Sequence, residues 1–124
     1  MKSVLIVDDS PLIRRLLKAA LTESGWIACT EAENGRDGIV KAQELRPDVI
    51  ILDLAMPEMN GFEAARILNR LMPATPIFMF TTHCGPGLER EALAVGIQKV
   101  IPKSDGPPEI IRTLDKLFGG LERW

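Results

Sequence analysis

The stretch Val4-Leu5-Ile6-Val7-Asp8-Asp9-Ser10 decides the fold. Four apolar residues in a row read as a short buried strand, yet the run stops on two adjacent carboxylates. Like charges side by side repel, and burying either one is costly unless a cation compensates. Ser10 is a helix N-cap residue and Pro11 suits the first helical position, so the strand passes almost directly into a helix. Leu12, Ile13, Leu16, Leu17, Ala20 and Leu21 recur there at helical spacing, which predicts them as the packing face, and Gly25 ends the helix.

The same alternation continues along the chain. Residues Trp26 to Ala32 are weakly alternating and partly polar, which predicts an edge strand, and Asn34-Gly35 turns into a second helix running to about Arg46. Pro47-Asp48 stops it. Val49 to Asp53 (VIILD) repeats the opening pattern, a wholly apolar strand ending on an acid, and a loop leads to a helix from about Gly61 to Met72. Pro76 to Thr81 is a fourth strand, Gly87 to Val95 a fourth helix, Lys99 to Pro102 a fifth strand and Pro107 to Phe118 a final helix. Strands alternating with helices imply right-handed crossovers, hence a five-stranded parallel sheet with helices on both faces. One domain is expected over residues 1–120, with 121–124 a short C-terminal tail, and no output domain is attached in this chain.

Composition bounds the function. With 46% hydrophobic and 26% charged residues among 124, the chain has the make-up of an ordinary globular domain. A formal net charge of -2 supplies no basic surface for nucleic acid. No apolar stretch approaches the roughly 20 residues of a membrane span and no signal peptide opens the chain, so a cytoplasmic location is expected. Cys29 and Cys84 lack metal-ligand spacing and read as reduced thiols.

In an open parallel sheet, ligands bind beyond the carboxyl ends of the strands where strand order reverses. Asp8, Asp9, Asp53, Thr81 and Lys103 all fall at that edge and should converge. Three carboxylates cannot all stay ionised at close range without a cation, and hard oxygen donors without a His or Cys cluster suit Mg²⁺ better than zinc.

These residues carry a family resemblance. VDDS, DLAMPEMNG (Asp53 to Gly61), FTT (Phe80 to Thr82) and IPK (Ile101 to Lys103), in that order and spacing, resemble the response-regulator receiver domains of two-component signalling, of the small chemotaxis type. The resemblance implies strand order 2-1-3-4-5, the flavodoxin-like doubly wound arrangement. It also implies that Asp53 accepts a phosphoryl group from a sensor histidine kinase or phosphotransfer protein. Asp8, Asp9, Asp53 and the backbone carbonyl of Ala55 would hold Mg²⁺, Lys103 would neutralise the phosphoryl oxygens, and Thr81 would hydrogen-bond the new group. Output would pass to a downstream protein through the fourth helix, fifth strand and fifth helix. The domain would be a signalling module and not an enzyme, although it would assist its own phosphorylation and dephosphorylation. A phosphorylation-independent adaptor and a Mg²⁺-dependent phosphatase are the alternatives. The intact acids, Thr81 and Lys103 argue against the first, and Ala55, standing where a second acid is needed, argues against the other.

Several positions depart from the family pattern. Proline precedes Lys103 instead of following it, which puts the usual cis peptide of that loop in doubt. Thr82 stands where a smaller residue is common. Three positions before Lys103 an aromatic switch residue is replaced by Val100. Ala55 and His83 occupy the two loop positions that tune phosphoryl lifetime in the family, and His83 is expected to be an exposed loop residue near the site. The Gly85-Pro86-Gly87 segment is expected to be a loop able to absorb backbone rotation.

Overall fold

The computed structural model describes residues 2–26, 28–83 and 85–119. Expectations for Cys84, for Ile27 in the second strand and for the tail lie outside that set. The elements run β1 (Ser3–Val7), α1 (Pro11–Glu23), β2 (Ala28–Ala32), α2 (Gly35–Leu45), β3 (Val49–Leu52), α3 (Gly61–Leu71), β4 (Ile77–Thr81), α4 (Pro86–Ala94), β5 (Lys99–Pro102) and α5 (Gly106–Phe118). All strand pairs are parallel and the order is β2-β1-β3-β4-β5, as expected. Strand order reverses between β1 and β3, which places the crevice of a doubly wound sheet at their carboxyl ends.

Apolar strand runs follow from burial on both faces. Side chains alternate across a strand, so Leu5, Val7, Ile50, Leu52 and Met79 pack with Ala42 of α2, Ala64, Ala65 and Leu68 of α3 and Ala92 of α4. Val4, Ile6, Ile51, Phe78, Phe80 and Ile101 point the other way, onto Leu17 and Leu21 of α1 and Ile110 and Leu114 of α5. Each central strand thus serves two cores, which a helix-period pattern could not do.

Some sequence expectations shift. Leu12 and Leu16 are 57% and 47% exposed, so only part of the apolar stripe on α1 packs. Ile13, Leu17 and Leu21 lie on the arc that faces the sheet, and each step of one residue turns about 100° away from it. The strand expected from Trp26 begins at Ala28. Trp26 instead donates its backbone N–H to the Leu21 carbonyl at 3.0 Å and sets its ring edge-on to Phe118, with centroids 5.4 Å apart. That contact lies at the amino ends of the strands, away from the acids.

The expected Gly85-Pro86-Gly87 loop is corrected more sharply. Pro86 and Gly87 form the first turn of α4, because proline needs no hydrogen-bond partner for its nitrogen there. Gly85 alone stays outside, at φ 144°, a region that favours glycine. After β5 the chain makes a short 3-10 turn over Lys103–Asp105 that the sequence did not suggest. No cis peptide occurs among the described residues.

Candidate phosphoryl-transfer site

Main-chain bonds set the two buried acids in place first. The Asp8 N–H donates to the Ala32 carbonyl at 3.0 Å and the Asp53 N–H to the Val7 carbonyl at 2.9 Å, so both continue the sheet pattern one residue past the strands. Asp8 is 2% exposed and Asp53 4%. Asp8 Oδ1 accepts the Ser10 N–H at 2.9 Å, turning the chain into α1, whose Ile13 N–H is capped by Ser10 Oγ. Asp53 Oδ1 accepts the N–H of Leu54 at 2.9 Å, and the Leu54 carbonyl in turn accepts the Gly61 N–H at 2.8 Å. This last bond ties the loop after β3 to the start of α3. A side chain at Gly61 would put its Cβ 2.3 Å from the Asp53 carbonyl oxygen, so the close approach requires glycine.

Lys103 crosses from the end of β5 to both acids. Its Nζ lies 2.9 Å from Asp8 Oδ2 and 3.3 Å from Asp53 Oδ1. Asp9 is exposed, yet one carboxylate oxygen from each of Asp8, Asp9 and Asp53 falls within 4.8 Å of the others. One ammonium bridges two of the three acids. Burial and then the neighbouring Asp8 charge push the Asp53 carboxyl up from 3.8 to about 6, only partly opposed by Lys103 and the Leu54 N–H. Burial works to lower the Lys103 pKa, but hydrogen bonds and charge from Asp8 and Asp53 outweigh it, leaving the ammonium raised. The donor set is all hard oxygen, converging and open to water on the Asp9 side, and it carries more negative charge than Lys103 neutralises. These residues fit Mg²⁺.

Thr81 closes β4 fully buried at the same edge, with its hydroxyl engaged by the residues that follow the strand. Its Oγ1 accepts the His83 N–H at 3.1 Å and lies 3.5 Å from His83 Nδ1, which Thr82 Oγ1 also approaches at 3.4 Å. Among the described residues Thr81 makes no hydrogen bond to Asp53 or Lys103. Ala55 and His83 are both exposed. Beside Asp9 a cleft of 380 Å³ opens between the loops after β2 and β3, with Glu33, Arg36, Glu58 and Met59 in its walls.

Two supports escaped the sequence reading. Asn60 and Glu63 form a reciprocal capping box at α3, a pattern visible as Asn-x-x-Glu before an apolar helix. Arg14 bonds the Asp8 carbonyl and Glu31, and no local spacing advertises a contact between α1, the end of β1 and β2.

Residues 4–115 match the family model described as the response regulator receiver domain. The chain belongs to that family. This receiver is 34% identical over 116 residues to the chemotaxis protein CheY of Thermotoga maritima, covering 94% of this chain and 97% of the relative. The solved structure of Vibrio cholerae chemotaxis protein CheY4 superposes with a TM-score of 0.87 at 37% identity, covering 94% of this chain and 98% of that one. Similarity to a protein-glutamate methylesterase/protein-glutamine glutaminase of Alkalilimnicola ehrlichii is 45% over 102 residues, covering 80% of this chain. The receiver spans only 26% of that longer relative. Among the described residues of the receiver, no helix is long and apolar enough to cross a membrane.

Proposed function

We propose that Asp53 is the phosphoacceptor of a response regulator, taking a phosphoryl group from the phosphohistidine of a sensor kinase or phosphotransfer protein. The observation that carries this is the buried Asp53 carboxylate, bridged to the buried Asp8 by the Lys103 ammonium at the mouth of the sheet. An Asp53 oxygen forms the new bond to phosphorus while the phosphorus–nitrogen bond of the donor breaks, its electron pair passing to the imidazole. Ionised Asp53 is the competent nucleophile, and with its pKa near 6 it is mostly ionised at neutral pH. Lys103, already within hydrogen-bond reach of Asp53, then pairs with the phosphoryl oxygens. Asp8, Asp9, Asp53 and the Ala55 carbonyl would hold Mg²⁺, which when bound neutralises charge on the transferred group.

Thr81 carries the signal outward. Its hydroxyl accepts the His83 N–H and keeps its own proton to donate, so turning it toward a phosphoryl oxygen draws His83 toward Asp53 with it. The domain is a signalling module acting through protein contacts on the α4-β5-α5 face, over residues 1–120 with 121–124 a tail, and works in the cytoplasm. Intact mass after treatment with a small phosphodonor and Mg²⁺ tests the proposal. One acid-stable, base-labile phosphoryl group is expected, lost in Asp53→Ala. Full modification persisting in that variant would place the acceptor elsewhere.

A further inference from the structure

Asp8 is nearly sealed from water, so each of its polar atoms needs a partner within the protein. Its N–H, Oδ1 and Oδ2 are met by Ala32, Ser10 and Lys103. The fourth atom, the backbone carbonyl, accepts Arg14 Nη1 at 2.7 Å. Arg14 sits at the start of α1 with its side chain 15% exposed, and its Nε donates to Glu31 Oε1 of β2 at 3.0 Å. Lys18, one turn further along α1, reaches the other Glu31 oxygen at 3.5 Å. A guanidinium offers donors in a rigid planar fork, so fixing one edge on Glu31 fixes the direction of the other.

The carbonyl that Arg14 holds belongs to the peptide joining Asp8 to Asp9. A peptide is planar, so one hydrogen bond to that oxygen fixes both the exit of Asp8 and the entry of Asp9. Asp9 is exposed and has no side-chain hydrogen bond among the described contacts that would aim it. We infer that Arg14, oriented by Glu31, is a positioning residue of the acid site, setting the mutual aim of the Asp8 and Asp9 carboxylates for a divalent cation. The inference rests on the Mg²⁺ assignment above. Outer partners that orient metal ligands are worth about 10- to 100-fold in affinity when removed.

Charge alone predicts the opposite sign. Removing a cation near three acids should tighten Mg²⁺ binding, whereas losing a positioning residue should weaken it. The experiment is an NMR titration of the full chain with MgCl₂. In Arg14→Ala, and in Arg14→Lys, which keeps the charge but not the fork, Mg²⁺ should bind about 10-fold more weakly than in wild type. The Asp9 amide nitrogen should also shift in the metal-free variants. Arg15→Ala, which removes the neighbouring exposed charge, should leave affinity equal or slightly tighter. Should Arg14→Ala not fold, Arg14→Lys carries the decision. Wild-type binding with unchanged or tighter binding in the Arg14 variants overturns the inference alone. No saturable Mg²⁺ binding by wild type overturns the metal assignment along with it.

Discussion

Asp53 is a buried carboxyl beside another buried acid, and the sign of that electrostatic tension is measurable. The folded-state pKa, about 6, lies above the ordinary 3.8, so the folded protein binds this proton more tightly than the unfolded chain. The resulting stability is fully present below pH 3.8 and is lost as pH rises through about 6. Metal-free protein in a chelator should therefore lose at most about 3 kcal/mol from this group between acid and neutral pH. Asp53→Asn should flatten that decline and be the more stable protein at pH 7.5, as read by urea unfolding across the pH range. A wild-type profile with no fall through pH 6 would remove the tension. Lys103 is the counterpart. Taking away its ammonium leaves Asp8 and Asp53 facing each other, so Lys103→Ala should melt lower without metal yet gain more from 10 mM Mg²⁺ than wild type does. Equal gains in the two proteins would show that the ammonium contributes little to holding the acids together.

At the scale of elements, the joints between strands and helices decide how firmly those side chains are held. Gly61→Ala forces a Cβ against the Asp53 carbonyl oxygen and Leu54 Cα, neither of which can yield without moving the backbone that carries Asp53. A loss of at least about 3 kcal/mol is expected by thermal or urea unfolding. Gly38→Ala on α2 meets the Val7 methyls at 2.8 and 3.0 Å, but gains helix propensity, so its net cost should be near 1 kcal/mol. Equal costs would mean that the β3–α3 joint is softer than its hydrogen bond implies. The same joints explain what could be read from the sequence. Apolar runs ending in Asp8, Asp53, Thr81 and Lys103 fix strand positions because burial on both faces permits little else. Leu12 and Leu16 misled because periodicity reports spacing and not which arc meets the sheet. Arg14 was silent because its partners come from α1, the end of β1 and β2, and such convergence leaves no local signature. The turn at Lys103 was hidden because its short 3-10 geometry lacks a side-chain cap.

At the scale of the whole molecule, the open question is how a new phosphoryl group biases one global conformation over another. Val100 is buried against the α2-α3-α4 core, pairs with Met79 of β4 and has few rotamers, so β5 has little to rearrange. Gly85 and the His83–Thr81 contact offer the softer path. A beryllofluoride phosphoryl mimic should thus shift backbone NMR signals around His83, Gly85 and the start of α4, beyond the changes from Mg²⁺ alone. Signals at Val100 should change little, and large mimic-specific shifts there with a quiet loop would contradict this route.

The parallel sheet has one more consequence. Asp8 follows the first strand made and Lys103 the last, while Asp53 follows the third strand and Thr81 closes the fourth. Closing such long-range contacts is slow relative to forming local helices. A growing chain on the ribosome would display Asp8, Asp9 and Asp53 long before Lys103 emerged to draw them together. Phosphoryl transfer would then be withheld from half-folded molecules, and the ability to accept a phosphoryl group would double as a report that the sheet has closed.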